Sequence, residues 1–113
     1  MRNQTVRCRR VADSLKKEIS CMLLQEVKDP RISLVTILDV AVSPDLSFAQ
    51  VYYTLHGSDV DKRKTQEGLQ STAGFLRREL GRRLRLKRIP ELHFRYDDTV
   101  DRGFELEQLL DRL

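Results

Sequence analysis

Apolar residues recur at Val11, Leu15, Ile19, Met22 and Leu23, a three- and four-residue spacing that predicts an amphipathic helix running to about residue 27. Lys28-Asp29-Pro30-Arg31 is a proline turn that ends it. Residues 34–42 are rich in Val, Ile, Leu and Thr and read as a strand. Ser43-Pro44-Asp45-Leu46-Ser47 is a turn, and residues 48–55 alternate Ala49, Val51, Tyr53 and Leu55 against Phe48, Gln50, Tyr52 and Thr54, which predicts a second strand. So short a connection requires antiparallel pairing. His56-Gly57-Ser58-Asp59 closes the hairpin.

A second helical pattern starts at Val60 or Asp61 and carries Leu69, Thr72, Ala73, Leu76, Leu80 and Leu84 at helical spacing. Gly68, Gly74 and Gly81 interrupt it, so two helices are expected, with a kink or break near Thr72-Ala73-Gly74. Residues 91–96 alternate Leu92, Phe94 and Tyr96 against His93 and Arg95 and predict a third strand. Phe104, Leu106, Leu109, Leu110 and Leu113 then suit a short acidic C-terminal helix. Helices on one face of a three-stranded sheet would bury both the strand alternation and the leucine stripes, an α+β arrangement in a single domain over residues 1–113.

Charge changes this picture locally. Residues 77–88 hold seven basic side chains (Arg77, Arg78, Arg82, Arg83, Arg85, Lys87, Arg88) and one acid, Glu79, for a local charge of +6. The whole chain is +4, so everything outside that stretch is net acidic and the basicity points to one polyanion-facing surface. An ideal helix through the stretch would carry Arg78, Arg82 and Arg85 on one side and Leu76, Leu80 and Leu84 on the other, with Pro90 stopping it before the third strand. Gly81 beside the arginines would either admit a phosphate backbone closely or break the helix. Arg7, Arg9, Arg10, Lys16 and Lys17 add a second set of cations along the first helix. They oppose its dipole there, so they serve either as a solvated face or as a second contact with the same polyanion.

The chain has 113 residues, 40% hydrophobic, 34% charged and only 6% aromatic, a balance that favours a nucleic-acid binder over a small-molecule pocket protein. Cys8 and Cys21 lie thirteen positions apart on one predicted helix, too far for a disulfide, and read as reduced thiols in a cytosolic compartment. The opening residues lack a secretory h-region, and no run reaches the length of a membrane span. Their arginine-rich character resembles a transit peptide, against which Asp13, Glu18 and the predicted helix argue.

Catalysis finds little support. His56 sits beside a turn glycine and His93 alternates outward in a strand, and neither has a nucleophile or orienting partner at recognisable spacing. Asp97, Asp98 and Asp101 suit turn solvation and helix capping better than a divalent cation. No phosphate-binding loop or dinucleotide fingerprint is present, so no catalytic residue, metal or cofactor is expected. Phe48 and Tyr52 are the only strand aromatics off the Val51 and Tyr53 face, so recognition of RNA would rest on phosphates and shape, salt-sensitive and weakly selective.

The segments RVADSLKKEISCMLLQEVKDPRIS, VTILDVAVSPDLSFAQVYYTL and AGFLRRELGRRLRLKRIPELHFRYDD resemble, in order from about residue 9 to 110, the bacterial ribosome-binding factor A family. The KDPR turn, the SPDLS turn and the RLKRIPELHF run carry most of the specificity. The resemblance implies a type II KH-like domain and a non-catalytic assembly factor, monomeric off the ribosome. Such a factor binds the small (30S) ribosomal subunit and its 16S rRNA and serves late 30S maturation, rRNA processing and cold adaptation. The basic residues named above would be its RNA-binding set, and no membrane or small-molecule substrate is implied. Two departures stand out. The glycines give no GxxG loop, as in the family generally, and Thr72-Ala73-Gly74 has threonine where the family's Ala-x-Gly kink has alanine. The charged tail of some relatives has no counterpart in these 113 residues. The runner-up class is a protein-interaction module whose basic face meets an acidic protein; an RNA-modifying enzyme is a third.

Overall fold

The computed structural model describes residues 5–32, 34–57 and 60–97. In order these form α1 (Val6–Gln25), a 3₁₀ turn (Pro30–Ile32), β1 (Val35–Val42), β2 (Phe48–Leu55), α2 (Lys62–Arg83) and β3 (Glu91–Tyr96). β1 and β2 pair antiparallel, β2 and β3 pair parallel, and the sheet order is β1-β2-β3. The parallel pair needs a crossover, and α2 supplies it. This is the expected α+β, KH-like arrangement, with both helices on one face of the sheet.

The core follows from the two periodicities. Ala49, Val51 and Tyr53 of β2 are buried between Leu92 and Phe94 of β3 and Ile37, Val40 and Val42 of β1. Ile37 and Val40 are three apart, yet both face inward, because a bulge between Ile37 and Asp39 shifts the register and reverses the alternation. α1 covers this face with Leu15, Ile19 and Met22, and α2 with Leu69, Leu76 and Leu80, all wholly buried. Each such side chain contributes about 1.5–3 kcal/mol on removal from water.

The KDPR and SPDLS turns are fasteners. In the first, Asp29 accepts from the Arg31 amide at 2.9 Å and pairs with its guanidinium at 2.6 Å. The Arg31 carbonyl accepts from Thr65 Oγ1 of α2 at 2.9 Å. Gly68 lets this turn sit directly on α2: a Cβ there would lie 3.1 Å from Ile32 Cγ2 and 3.2 Å from Arg31 Cβ. In the second turn, Asp45 accepts from the Ser43 and Ser47 hydroxyls at 2.8 and 2.6 Å and from the Ser47 amide at 3.1 Å. These bonds, led by Ser47, hold the Asp45 carboxyl down to about 2. They also support Leu46 at φ 59, a left-handed conformation unusual for leucine, whose side chain is buried.

α2 also closes one edge of the sheet. Gln66 donates to the Phe94 carbonyl at 2.8 Å and accepts from Tyr53 Oη at 2.5 Å, while Gln70 donates to the Leu92 carbonyl at 3.2 Å. Side-chain amides thus occupy backbone groups that edge strand β3 would otherwise offer to another chain.

The helices differ from expectation in three ways. α1 begins at Val6, capped by the Thr5 hydroxyl, which accepts from the Cys8 amide at 3.2 Å. α2 is one continuous helix, so no break falls at Thr72, Ala73 and Gly74, which lie inside it. The glycines cost about 1 kcal/mol each, less than the buried leucines on either side return. Gly81 does not break it either; a Cβ there would make ordinary contact with Ile89 at 3.7 Å. Finally, α2 stops at Arg83, well before Pro90, and Leu84 is extended (φ −113, ψ 141). The expected C-terminal helix, with Asp98 and Asp101, lies outside the described residues.

Candidate nucleic-acid interface

Beyond Arg83 the chain changes period. Leu84 and Leu86 are half-buried against the core while Arg85 and Lys87 are exposed, the alternation of an extended segment. This strap, residues 84–90, is tied back to α2 by Arg77, whose guanidinium donates to the carbonyls of Ile89 at 3.0 Å and Pro90 at 3.2 Å. The anchored strap presents its cations beside the start of α1.

Between strap and helix lies an open groove of about 790 Å³ lined by Arg7, Arg10, Arg85, Lys87 and Arg88, with Val6, Val11, Leu46 and Leu86 between them and Asp45 as the single acid. The two sets of cations are more than seventy positions apart in the sequence. The first turn of α1 contains no acid, so the partial positive charge of its N-terminus adds to theirs. Asp45, kept ionised by its bonds to Ser43 and Ser47, offsets one of the five cations and leaves the groove net positive.

The remaining predicted cations divide into two kinds. Arg83 bridges the helices at the surface, pairing with Glu18 of α1 at 3.6 Å, with Glu79 at 3.5 Å and with Glu26. The Glu26 hydrogen bond is the main cause of its raised pKa. Arg77 is likewise spent on the strap. Arg9, Lys16, Lys17, Arg78 and Arg82 are exposed and lie outside the groove. Arg82 pairs loosely with Glu79 at 3.3 Å. Helical geometry puts Lys17 outward and Arg9 and Lys16 on the flank opposite Glu18. Arg85 does not share a helix face with Arg78 and Arg82, because the helix ends before it. What the sequence reading missed is the strap and its aliphatic floor; the signal was there in the Arg-Leu-Arg-Leu alternation of residues 83–86.

Other chemistry is sparse. His56 Nε2 lies 2.7 Å from Thr36 Oγ1, and His93 pairs with Glu91 at 3.3 Å and packs 5.0 Å from the Phe48 ring. Cys8 is buried, Cys21 is exposed, and both are free thiols. Among the described residues no cluster of three or more His, Cys, Asp or Glu is placed to hold a metal, and no helix is long and apolar enough to cross a membrane. The aromatics Phe48 and Tyr52 lie on the sheet face that neither α1 nor α2 covers, outside the groove.

Comparison with known proteins places this geometry. The chain is 49% identical to ribosome-binding factor A of Thioalkalivibrio sulfidiphilus over 94% of its length and 82% of the relative's. Its fold is similar to the crystal structure of ribosome-binding factor A from Thermus thermophilus, with a TM-score of 0.71 and 27% identity over 79% of this chain and 94% of that one. It is also similar to a homology model of the Thermus thermophilus protein fitted into the cryo-EM map of its complex with 30S, with a TM-score of 0.62 and 28% identity over 76% of this chain and 90% of that one. The family model of ribosome-binding factor A matches residues 7–110, a span that takes in both walls of the groove, both fastened turns and all three strands, and the chain belongs to that family.

Proposed function

We propose that this protein is a non-catalytic assembly factor that binds the small (30S) ribosomal subunit through phosphates of its 16S rRNA, using the groove between the start of α1 and the strap. It acts in the cytoplasm, as one domain and a monomer off the ribosome. It serves late 30S maturation and rRNA processing, including at low temperature, by favouring one rRNA conformation through binding energy alone. The observation that carries this reading is the convergence of Arg7 and Arg10 with Arg85, Lys87 and Arg88 on one groove. Buried cores do not require such a gathering of like charges, and a polyanion repays it.

Reversing charge at Arg85 and Arg88 (Arg85→Glu with Arg88→Glu) tests the site by co-sedimentation with 30S subunits. Binding is expected to weaken by at least about tenfold near physiological salt, with a shallower salt dependence. Unchanged binding by a folded variant sinks the assignment.

A protein contact of another kind, not the basic face meeting an acidic protein, has one observation behind it. Leu23, Leu24, Val27, Ile32, Val35 and Ile37 line an apolar groove of about 570 Å³ where α1 ends beside β1, and Leu24 is 84% exposed. A partner held there would survive digestion of the RNA in purified complexes, whereas the phosphate contact would not.

A further inference from the structure

The basic groove differs from a phosphate-only surface in what lies between its cations. Arg7 and Arg10 stand on the α1 wall, and Arg85, Lys87 and Arg88 on the strap wall. The aliphatic floor a ligand can reach is Val6 and half-buried Leu86; Val11 and Leu46 also line the groove but are buried, and Asp45 is its one acid. Val6 is 71% exposed, in a chain that buries most of its other described aliphatic side chains.

The two forms of RNA would meet this surface differently. A duplex offers phosphates, 2′-hydroxyls and the edges of a shallow minor groove, and keeps its base faces stacked inside. It has nothing to lay on an aliphatic floor, and its girth would hold it across the rims of the two walls. A single strand offers phosphates on a flexible backbone together with free base faces that gain by covering apolar carbon. Cations on two walls with apolar carbon between them match that distribution. None of the lining residues is aromatic, so the floor has no stacking platform with which to select among bases.

Resting on the RNA-binding reading above, we infer that this groove takes a single-stranded segment of RNA, with phosphates on both walls and bases against Val6 and Leu86, and with little sequence preference. A duplex is the poorer ligand. With five lining cations engaged, the slope of log affinity against log salt for a single strand is at most about −3.5.

The experiment compares the full chain's binding to a fluorescent single strand of about 12 nucleotides with its binding to the corresponding duplex. The single strand is expected to bind at least about fivefold more tightly. Val6→Ser, at a largely exposed position, should lower single-strand affinity about threefold through lost apolar contact while leaving the salt slope and the melting temperature unchanged. Arg85→Gln with Arg88→Gln should weaken binding to both RNAs and flatten the slope. Equal or tighter duplex binding that still depends on Arg85 and Arg88 overturns the single-strand inference and leaves the RNA-binding site standing; so does a Val6→Ser variant that binds the single strand as well as the parent. Absence of binding to either RNA, or binding indifferent to Arg85 and Arg88, overturns both.

Discussion

Arg83 and Arg85 are two residues apart, and the fold puts them to opposite uses. Arg83 closes the last turn of α2 and is paired with Glu18, Glu26 and Glu79, so its charge is spent on holding two helices together. Arg85 stands on the strap, lines an open groove and faces cations from the other end of the chain. Arg77 repeats the contrast, because its two hydrogen bonds to the Ile89 and Pro90 carbonyls position the strap that carries Arg85. Density of charge along a sequence therefore does not measure the charge available to a ligand. Partners within the fold decide how much remains.

The contrast is most severely tested at Arg77. Arg77→Ala should lower the melting temperature by about 4 °C, corresponding to about 1 kcal/mol for two carbonyl contacts at a partly exposed site. It should also weaken RNA binding about tenfold as the strap loosens, more than removal of one charge explains. Arg77→Lys should fail to rescue, because an ammonium does not reproduce the guanidinium fork that spans both carbonyls. Full rescue by lysine would make Arg77 an ordinary member of the charged surface.

Arg83→Gln should instead leave RNA affinity within about twofold of the parent, while lowering the melting temperature at low salt by an amount that shrinks as salt screens the network. A loss of RNA binding matching that of Arg85 variants, in a folded protein, would erase the distinction between the two arginines.

Asp45 sharpens the groove side of the comparison. Its folded pKa of about 2 lies below the ordinary 3.8, so the folded state is favoured while the carboxylate is ionised. That contribution is complete above about pH 4 and is lost as pH falls toward 2. Asp45→Asn should flatten stability against pH across this window in acid unfolding monitored by circular dichroism. An unaltered acid limb would show that the bonds to Ser43 and Ser47 do not hold the turn.

The smallest effect is expected for Arg78→Gln with Arg82→Gln, both outside the groove. RNA affinity should change by no more than about twofold, through the general field alone. A loss equal to that at Arg85 and Arg88 would move the interface onto the outer face of α2.

Much of this was legible in the sequence because its periodicities were clean. β2 and β3 occupy the residues their alternation predicted, 48–55 and 91–96, and the short SPDLS turn left antiparallel pairing of β1 and β2 as the one option. The helix boundaries were less legible for identifiable reasons. Leu76, Leu80 and Leu84 continue a four-residue spacing, but Leu84 and Leu86 also fit an alternation, and nothing local chooses between the two readings. Gly74 resembled a breaker, yet its side of α2 is open, with nothing within 4 Å of a Cβ there, and the helix passes through it because burial of Leu69 and Leu76 outweighs a local propensity.

The sequence by itself determined which faces are apolar, which turns are sharp, and that the cations concentrate in two segments, one at each end of the chain. These are properties of spacing and composition, and any fold that buries the leucines inherits them. Only the tertiary structure decided which cations meet. Packing of α1 and the strap against the same sheet brings Arg7 and Arg10 to Arg85, Lys87 and Arg88, while Arg83 is drawn to Glu18 and Glu26, and Arg77 to the backbone. Such assignments depend on where distant side chains and carbonyls come to lie, and each is settled by a few ångströms of approach that linear spacing does not encode.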